Sequence, residues 1–111
     1  MNKENAIRYL SLAAKAGRIV TGGDDVEKSI RRGKGGLLIV ASDAGQNAAR
    51  RAVLLAQGPL VSMRKTAYTK SQIAAAVGRG SSVALALVTD EGLAEAFLRA
   101  SASALEQEDL T

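Results

Sequence analysis

The sequence predicts a three-layer α/β/α sandwich around a four-stranded sheet that is largely parallel or mixed. Two observations support this prediction. Aliphatic runs typical of strands alternate with stretches of helical periodicity, and glycines or capping residues separate the two kinds of segment. Such alternation places helices on both faces of one sheet. With 111 residues, the chain is long enough for one domain with a sizeable core. We expect a single domain over residues 1–102 and a polar, acidic tail over residues 103–111 that frays.

The expected helices are marked by their periodicity and their ends. In the first, Ile7 and Leu10 share one face, and Gly17 is placed to end the helix in a left-handed conformation. Asp24 is the expected N-cap of the second helix, which ends at Gly33. The expected helices, in chain order, cover residues 2–16, 24–33, 47–56, 72–77 and 91–105.

The clearest strand signal is the continuous aliphatic run LLIVAS, residues 37–42, between two glycines and Asp43. A run without polar alternation predicts a central strand that is buried on both faces. Asp43 is expected to serve as a cap or turn residue. The remaining expected strands cover residues 18–21, 60–63 and 82–88.

The composition excludes several classes of protein. The chain has no Cys and no His, so disulfides and thiolate metal sites are excluded, and the commonest general base and metal ligand are missing. We expect no metal and no cofactor. Apolar runs fall short of the roughly 20 residues that span a bilayer, and the N-terminal residues MNKENAIRYL are too polar for a signal peptide. These features predict a soluble, cytoplasmic protein without a membrane partner.

The charge is distributed unevenly along the chain. Residues 1–79 contain 14 Lys or Arg against five acids, whereas residues 80–111 contain one Arg against six acids. A small basic body with an acidic end favours a polyanion such as nucleic acid as partner. An ordinary soluble surface is an equally good explanation of the charge taken alone.

The remaining candidates for catalysis have ordinary structural explanations. Ser11 and Lys15 lie one helical turn apart, which any helix provides, so they are weak evidence for a nucleophile and its base. The paired carboxylates Asp24-Asp25 and Asp90-Glu91 lie where helices begin, and the helix dipole favours acids there. The sequence therefore predicts no enzyme.

The stretch TGGDDVEKSI, residues 21–30, differs by one residue from a nucleotide-phosphate loop, because Glu27 occupies the place of its second glycine. Three acids in this stretch would repel a phosphate, so it is no phosphate loop. On the helix that follows, Asp25, Lys28 and Arg32 share one outward face. A carboxylate above two cations suits folded RNA, which offers amines and phosphates. A solvated helix face is the commoner explanation of such a pattern.

The combined motifs resemble a known family. The stretch LSLAAKAGRIVTGGDDVEKSIRRGKGGLLIVASDAGQNAARR and the later AVGRGSSVALALVTDEG are similar to the kink-turn-binding ribosomal proteins of the L-seven-Ae superfamily, and most of all to a bacterial branch of YlxQ-like small proteins. The family signature is Gly, any residue, Asn-Glu, two residues and Lys, then a helix ending in Arg-Gly. Residues 22–28 and Arg32-Gly33 match it, with Asp24 and Asp25 in place of Asn and Glu.

The resemblance implies an α/β/α sandwich that binds RNA kink-turns or related internal loops. Asp24 and Asp25 would take the positions that read the sheared G·A pairs of the kink. Asp24 lacks the N–H donor of Asn, and Asp25 is one methylene shorter than Glu, so each change weakens base recognition. The implied RNA contacts are Gly22, Gly23, Asp24, Asp25, Lys28 and Arg32 in the first segment, Gly78, Arg79, Gly80 and Val83 in the loop before the last strand, and Lys15 and Arg18 at the edge.

The prediction is thus a non-catalytic protein that binds structured RNA, either ribosomal RNA or another kink-turn-like RNA. The ribosome is a candidate partner, and DNA is not expected. The alternative is a protein-interaction adaptor that kept the sandwich and lost kink-turn selectivity. The acidic pair Asp24-Asp25 is the main argument for that alternative.

Overall fold

The computed structural model describes the backbone of residues 2–110 and the side chains of residues 6–101. Five helices alternate with four strands in that part of the chain, in the order that the sequence predicts. The elements are α1 (Asn2–Lys15), β1 (Ile19–Thr21), α2 (Gly23–Arg31), β2 (Gly36–Val40), α3 (Gln46–Leu55), β3 (Val61–Lys65), α4 (Lys70–Val77), β4 (Leu85–Val88) and α5 (Glu91–Leu110). Within residues 2–110, no helix combines the length and the apolar character that crossing a membrane requires.

The sheet is mixed, with the strand order β1-β4-β2-β3. β4 runs antiparallel to both β1 and β2, and only β2 and β3 are parallel. Val40 is opposite Lys65 of β3 and Leu85 of β4, so the chain leaves β3 and enters β4 at the same end of the sheet. Because α4 does not carry the chain back to the other end, β4 must run antiparallel to β2. We call the two ends of the sheet the Leu85 end and the Val88 end.

Each face of the sheet carries its own hydrophobic core, which confirms the three-layer prediction. One core joins α1, α4 and α5 to the sheet and includes Leu10, Ile73 and Phe97. The other joins α2 and α3 to the sheet through Val26 and Ala52. The central strands β2 and β4 contribute to both cores, since their side chains alternate between the faces. A fully buried Leu or Phe side chain contributes about 1.5–3 kcal/mol of transfer free energy.

The start of α2 differs from the prediction. Its N-cap is Gly22, at φ 91°, and none of the described side chains caps the helix. Asp24 is therefore not the N-cap. The positive φ of Gly22 lets the chain turn into the helix earlier than expected, and the Asp24 carboxylate instead bonds Arg51 of α3.

Two side chains cap the start of α4, and one of them belongs to Asp43, which was expected to be a cap or turn residue. Thr69 and Gln72 form a reciprocal capping box. Asp43 accepts a hydrogen bond from the Lys70 backbone N–H (2.7 Å), so it satisfies a free donor of a helix that lies far away in sequence.

The last strand and the last helix have different bounds from those expected. β4 begins at Leu85, so residues 82–84 belong to the preceding loop, although Val83 is buried. The backbone of α5 is helical as far as Leu110. The side chains of residues 102–111 lie outside the described part, and the fraying expected for the tail stays a prediction.

Candidate functional site

Two segments that are distant in sequence meet at the Leu85 end of the sheet. The first is the turn from β1 into α2, which contains Gly22 and Gly23. The second is the loop of residues 78–84, between α4 and β4. A hydrogen bond from the Gly22 N–H to the Leu85 carbonyl (2.9 Å) holds the turn beside the end of the loop. The backbone thus fixes the start of α2 next to the loop.

The start of α3 closes a groove of about 440 Å³ between these two segments. The groove has a wall from each of three elements: the turn into α2, the first half of α3, and the loop. Its lining residues are Thr21, Gly22, Gly23, Asp25, Asn47, Ala48, Arg51, Arg79, Gly80, Ser81, Ser82, Val83, Ala84 and Leu85.

Half of the residues implied by the family resemblance line this groove. They are Gly22, Gly23, Asp25, Arg79, Gly80 and Val83. Asp25 and Arg79 are exposed, so a carboxylate and a guanidinium are both available to a ligand. Val83 is only 4% exposed and belongs to one of the two cores, so its main contacts are with the protein interior.

The other implied residues lie outside the groove. Asp24 and Lys28 are exposed on α2, and Arg32 is the C-cap of that helix. Gly78 is the C-cap of α4. These positions continue the surface beyond the groove on two sides.

Lys15 and Arg18 lie at the opposite, Val88 end of the sheet. The Thr89 N–H donates to the Arg18 carbonyl (2.9 Å), which places Arg18 beside the last residue of β4. About four residues of extended chain, roughly 13 Å, separate Arg18 from Gly22. These two cations are therefore not part of the groove.

Arg51 is the main groove residue that the sequence did not indicate. Its Nη2 donates to Asp24 Oδ1 (2.8 Å) and to Glu27 Oε1 (3.0 Å), and its Nε donates to Glu27 Oε1 (3.2 Å). Glu27 also forms an ion pair with Arg31, one turn along α2. Side-chain exposure is 36% for Arg51 and 26% for Glu27, but 87% for Asp24. The Arg51–Glu27 contact is therefore the better protected of the two from solvent.

Gly23 makes the position of Arg51 possible. A Cβ atom at Gly23 would lie 2.7 Å from Arg51 Nη1 and 3.1 Å from its Cζ. Such contacts are far inside van der Waals distance, so only glycine lets the guanidinium lie against the first turn of α2. This requirement is steric, because the φ angle of Gly23 is an ordinary negative one.

The Asp24–Arg51 pair also affects ionisation. The hydrogen bond and the charge of Arg51 lower the pKa of the Asp24 carboxyl below its ordinary value of 3.8, and Lys28 adds to the effect. Hydrogen bonds to the carboxylates of Asp24 and Glu27 raise the pKa of Arg51. Asp24 and Arg51 are therefore both charged throughout the physiological range.

The electrostatics of the groove follow from this pairing. Arg51 balances carboxylate charge on α2, while Asp25 forms no ion pair with any described side chain. Residues 44–89, which supply α3 and the loop, contain six Lys or Arg and no acid. The groove thus has the carboxylate of Asp25 on its α2 wall, and the guanidinium groups of Arg51 and Arg79 on its other two walls. Among the described residues, no group of three acids, His or Cys could hold a metal ion.

Asn47, Ser81 and Ser82 are further polar lining residues that sequence reasoning missed. The serines follow Arg79-Gly80 directly, so the loop motif contained a signal for them. For Arg51 the available signal was the excess of acid at the start of α2, which needs a cation nearby. Nothing in the sequence separates Arg51 from its neighbour Arg50 for that role.

Comparisons with known proteins agree with this architecture. The model of the Ribosomal protein L7Ae/L30e/S12e/Gadd45 family matches residues 4–98. The chain belongs to this family. Its membership confirms the resemblance drawn from the glycine-acid motif and the later loop. A comparison with curated proteins gives no match.

Two solved structures share the family fold. One is a protein with unknown function from Bacillus halodurans C, which is 22% identical, with a TM-score of 0.76 over 86% of this chain and 94% of that chain. The other is the Giardia lamblia 15.5kD RNA binding protein, which is 18% identical, with a TM-score of 0.64 over 93% of this chain and 88% of that chain. At these identities the likeness concerns the fold.

Proposed function

We propose that this protein is a non-catalytic RNA-binding protein that recognises a kink-turn or a related internal loop. One observation carries the proposal: the turn into α2 and the loop of residues 78–84, the two segments that the family motifs mark, both line one groove. Family membership and the Giardia RNA-binding protein with the same fold support it. As part of the same proposal, the protein is a YlxQ-like, cytoplasmic member of the family that is associated with the ribosome or with translation.

The chemistry of the groove suits a nucleotide whose base leaves the helical stack. The Asp25 carboxylate accepts hydrogen bonds from N–H groups, which guanine offers in pairs at its Watson–Crick edge. Arg79 carries the complementary charge for a phosphate, and the exposed Gly80 leaves the backbone open to close approach. Base edge and phosphate are therefore recognised on different walls of the groove.

The surface outside the groove supplies further phosphate contacts. Lys28 and Arg32 are exposed along α2, and they extend the cationic surface from the groove towards the Val88 end. Lys15 and Arg18 lie at that end. An RNA stem that leaves the groove along α2 would meet Lys28 and Arg32, because α2 spans about 13 Å between the two ends of the sheet.

The Ser11 hydroxyl supports a structural rather than a catalytic role for that residue. It donates to the Ala76 carbonyl (2.9 Å) and links α1 to α4. The hydroxyl hydrogen is therefore already used in packing two helices. This contact favours a protein that acts by binding.

The adaptor alternative rests on the acids of α2. Asp24 is 87% exposed and would face an incoming phosphate backbone. The ion pairs with Arg51 reduce the repulsion between these acids and a phosphate, because Arg51 supplies positive charge at the same place. The adaptor hypothesis would gain if the purified protein retained its fold but bound no cellular RNA.

Filter binding to total cellular RNA at two salt concentrations tests the proposal. The wild-type protein should retain RNA, and Lys28→Ala/Arg32→Ala should weaken retention, with the salt slope falling by roughly one unit for each phosphate-binding side chain that is removed. Thermal unfolding should change little, because both side chains are exposed. Absence of binding at low salt by a folded protein would overturn the proposed function.

A further inference from the structure

We infer that Arg51 is a phosphate-binding and specificity-determining residue of the groove, and that Glu27 is the residue that positions it. This inference rests on the proposed function, which it deepens at a residue that the family motif does not mark. It also gives Asp24 and Glu27 a role other than reading bases.

The direction of the Arg51 guanidinium supports this role. Its bonds to described residues leave from Nε and Nη2, on the side that faces Asp24 and Glu27. Its Nη1 lies against Gly23, and both residues line the groove. The Nη1 hydrogens are therefore the donors that remain for a ligand in the groove, and a charged guanidinium matches the oxygens of a phosphate.

Glu27 fixes the orientation of the Arg51 guanidinium. Its Oε1 accepts from both Nε and Nη2, so two contacts fix the plane of the guanidinium. The ion pair with Arg31 steadies the Glu27 carboxylate in turn. Arg51 therefore presents Nη1 to a ligand from one fixed position, and ordering it on binding costs less conformational entropy than ordering a mobile cation would.

The positions of the charged groups in the groove favour a sharply bent RNA over a straight duplex. Arg51 lies on the α3 wall, Asp25 on the α2 wall and Arg79 on the loop. A straight duplex keeps its base edges inside the grooves of the helix, away from such a set. A sharply bent backbone can place a phosphate against Arg51 while a base edge reaches Asp25. Asp24, already bonded to Arg51, acts as a second positioning residue.

Substitutions of Glu27 can show whether it positions Arg51 or acts on RNA only through its negative charge. If α2 acted only through its charge, removal of any carboxylate would strengthen RNA binding. If Glu27 positions Arg51, Glu27→Ala weakens binding although it removes a negative charge. Glu27→Gln keeps an acceptor oxygen for Arg51 and should retain most of the affinity. Glu95→Ala on α5 is the control for the loss of a remote carboxylate.

The experiment titrates each variant with a kink-turn RNA oligonucleotide and with a duplex of equal length. Arg51→Ala should lose roughly tenfold in affinity for the kink-turn and about one unit of salt slope. Its neighbour on α3, Arg50→Ala, is the matched control and should lose less than about threefold, as expected of diffuse charge. Arg51→Lys should keep the salt slope but not the preference for the kink-turn, because a Lys ammonium cannot bond Glu27 through two nitrogens and is therefore not held in one position.

The outcomes separate this inference from the proposed function. If the wild type binds the kink-turn but Arg51→Ala and Arg50→Ala behave alike, the inference is wrong and the function stands. An increase in affinity on Glu27→Ala would also overturn the positioning role. If the folded wild type binds neither RNA, the function itself fails. Circular dichroism of each variant shows whether a loss of binding reflects a loss of fold.

Discussion

Gly23→Ala should weaken RNA binding by this protein while leaving its stability nearly unchanged. The new Cβ atom would lie 2.7 Å from Arg51 Nη1, 3.1 Å from Cζ and 3.4 Å from Cδ. Carbon and nitrogen atoms need about 3.5 Å, so the guanidinium must move away by about an ångström. We expect this shift to break the bonds from Nη2 to Asp24 and Glu27, which have lengths of 2.8 and 3.0 Å in the wild type. The fold is expected to tolerate this change.

The contacts at Gly23 indicate how much the substitution should change the free energy of unfolding. The clash is with the flexible end of a side chain, and ion pairs this exposed contribute little to stability. Alanine in a helix is favoured over glycine by about 0.5–1 kcal/mol. The free energy of unfolding should therefore change by less than about 1 kcal/mol, which corresponds to less than roughly 8 °C in Tm for a domain of this size. Affinity for a kink-turn RNA should fall to nearly that of Arg51→Ala.

A double-mutant cycle gives the decisive comparison. If Gly23→Ala acts by displacing Arg51, the variant that carries both changes should bind no more weakly than Arg51→Ala alone. Gly45→Ala is the control, since a Cβ at Gly45 meets nothing within 4 Å and its φ is −70°. Additive losses of affinity in the cycle would refute the reasoning. A loss of stability of several kcal/mol on Gly23→Ala would refute it as well.

Three further predictions concern other parts of the structure. Gly36→Ala should destabilise the fold by about 3 kcal/mol or more in urea unfolding, because φ is 147° and a Cβ would lie 2.1 Å from a backbone oxygen of β4; a wild-type midpoint would contradict this. Arg79→Glu should weaken binding to a kink-turn RNA more than Arg99→Glu on the acidic helix α5, whereas equal effects would mean that only diffuse charge is measured. In an NMR titration the carboxyl pKa of Asp24 should lie below 3.8 and return towards it in Arg51→Ala. A depressed pKa means that the pairing stabilises the fold above pH 3.8 and that this contribution is lost as pH falls through the folded-state pKa; an unchanged titration would place Asp24 away from Arg51.

The layers and most element bounds could be predicted because they depend on local pattern. The run at residues 37–42 indicated a strand buried on both faces, and β2 is such a strand. The helix α2 was expected to carry Asp25, Lys28 and Arg32 on its outward face, and all three residues are exposed. Periodicity of 3.6 and continuous aliphatic runs are properties of a single segment.

The direction of β4 and the start of α2 depended on contacts that no local pattern contains. β4 is antiparallel because α4 begins and the loop ends at the same end of the sheet. Asp24 looked like an N-cap, but a guanidinium 27 residues away takes its carboxylate. Val83 looked like part of a strand because it is apolar, and it is buried without belonging to one.

The candidate site was predicted in part for the same reason. The glycine-acid turn and the loop with Arg79 were identified from their motifs, and both line the groove. The third wall, with Arg51, comes from a helix whose only signal was a pair of adjacent arginines. The sequence could not show which of Arg50 and Arg51 turns towards α2, since that depends on the rotation of α3 against the sheet.

The most direct test of the central claim is a titration of the wild-type protein with a kink-turn RNA and with a duplex of equal length and charge, at one salt concentration. Because both RNAs present the same number of phosphates, the difference in affinity reports recognition of the bend and its exposed base edges. The proposed groove predicts a preference for the kink-turn of roughly tenfold or more, on the scale of one good base contact. Equal affinities for the two RNAs would contradict it.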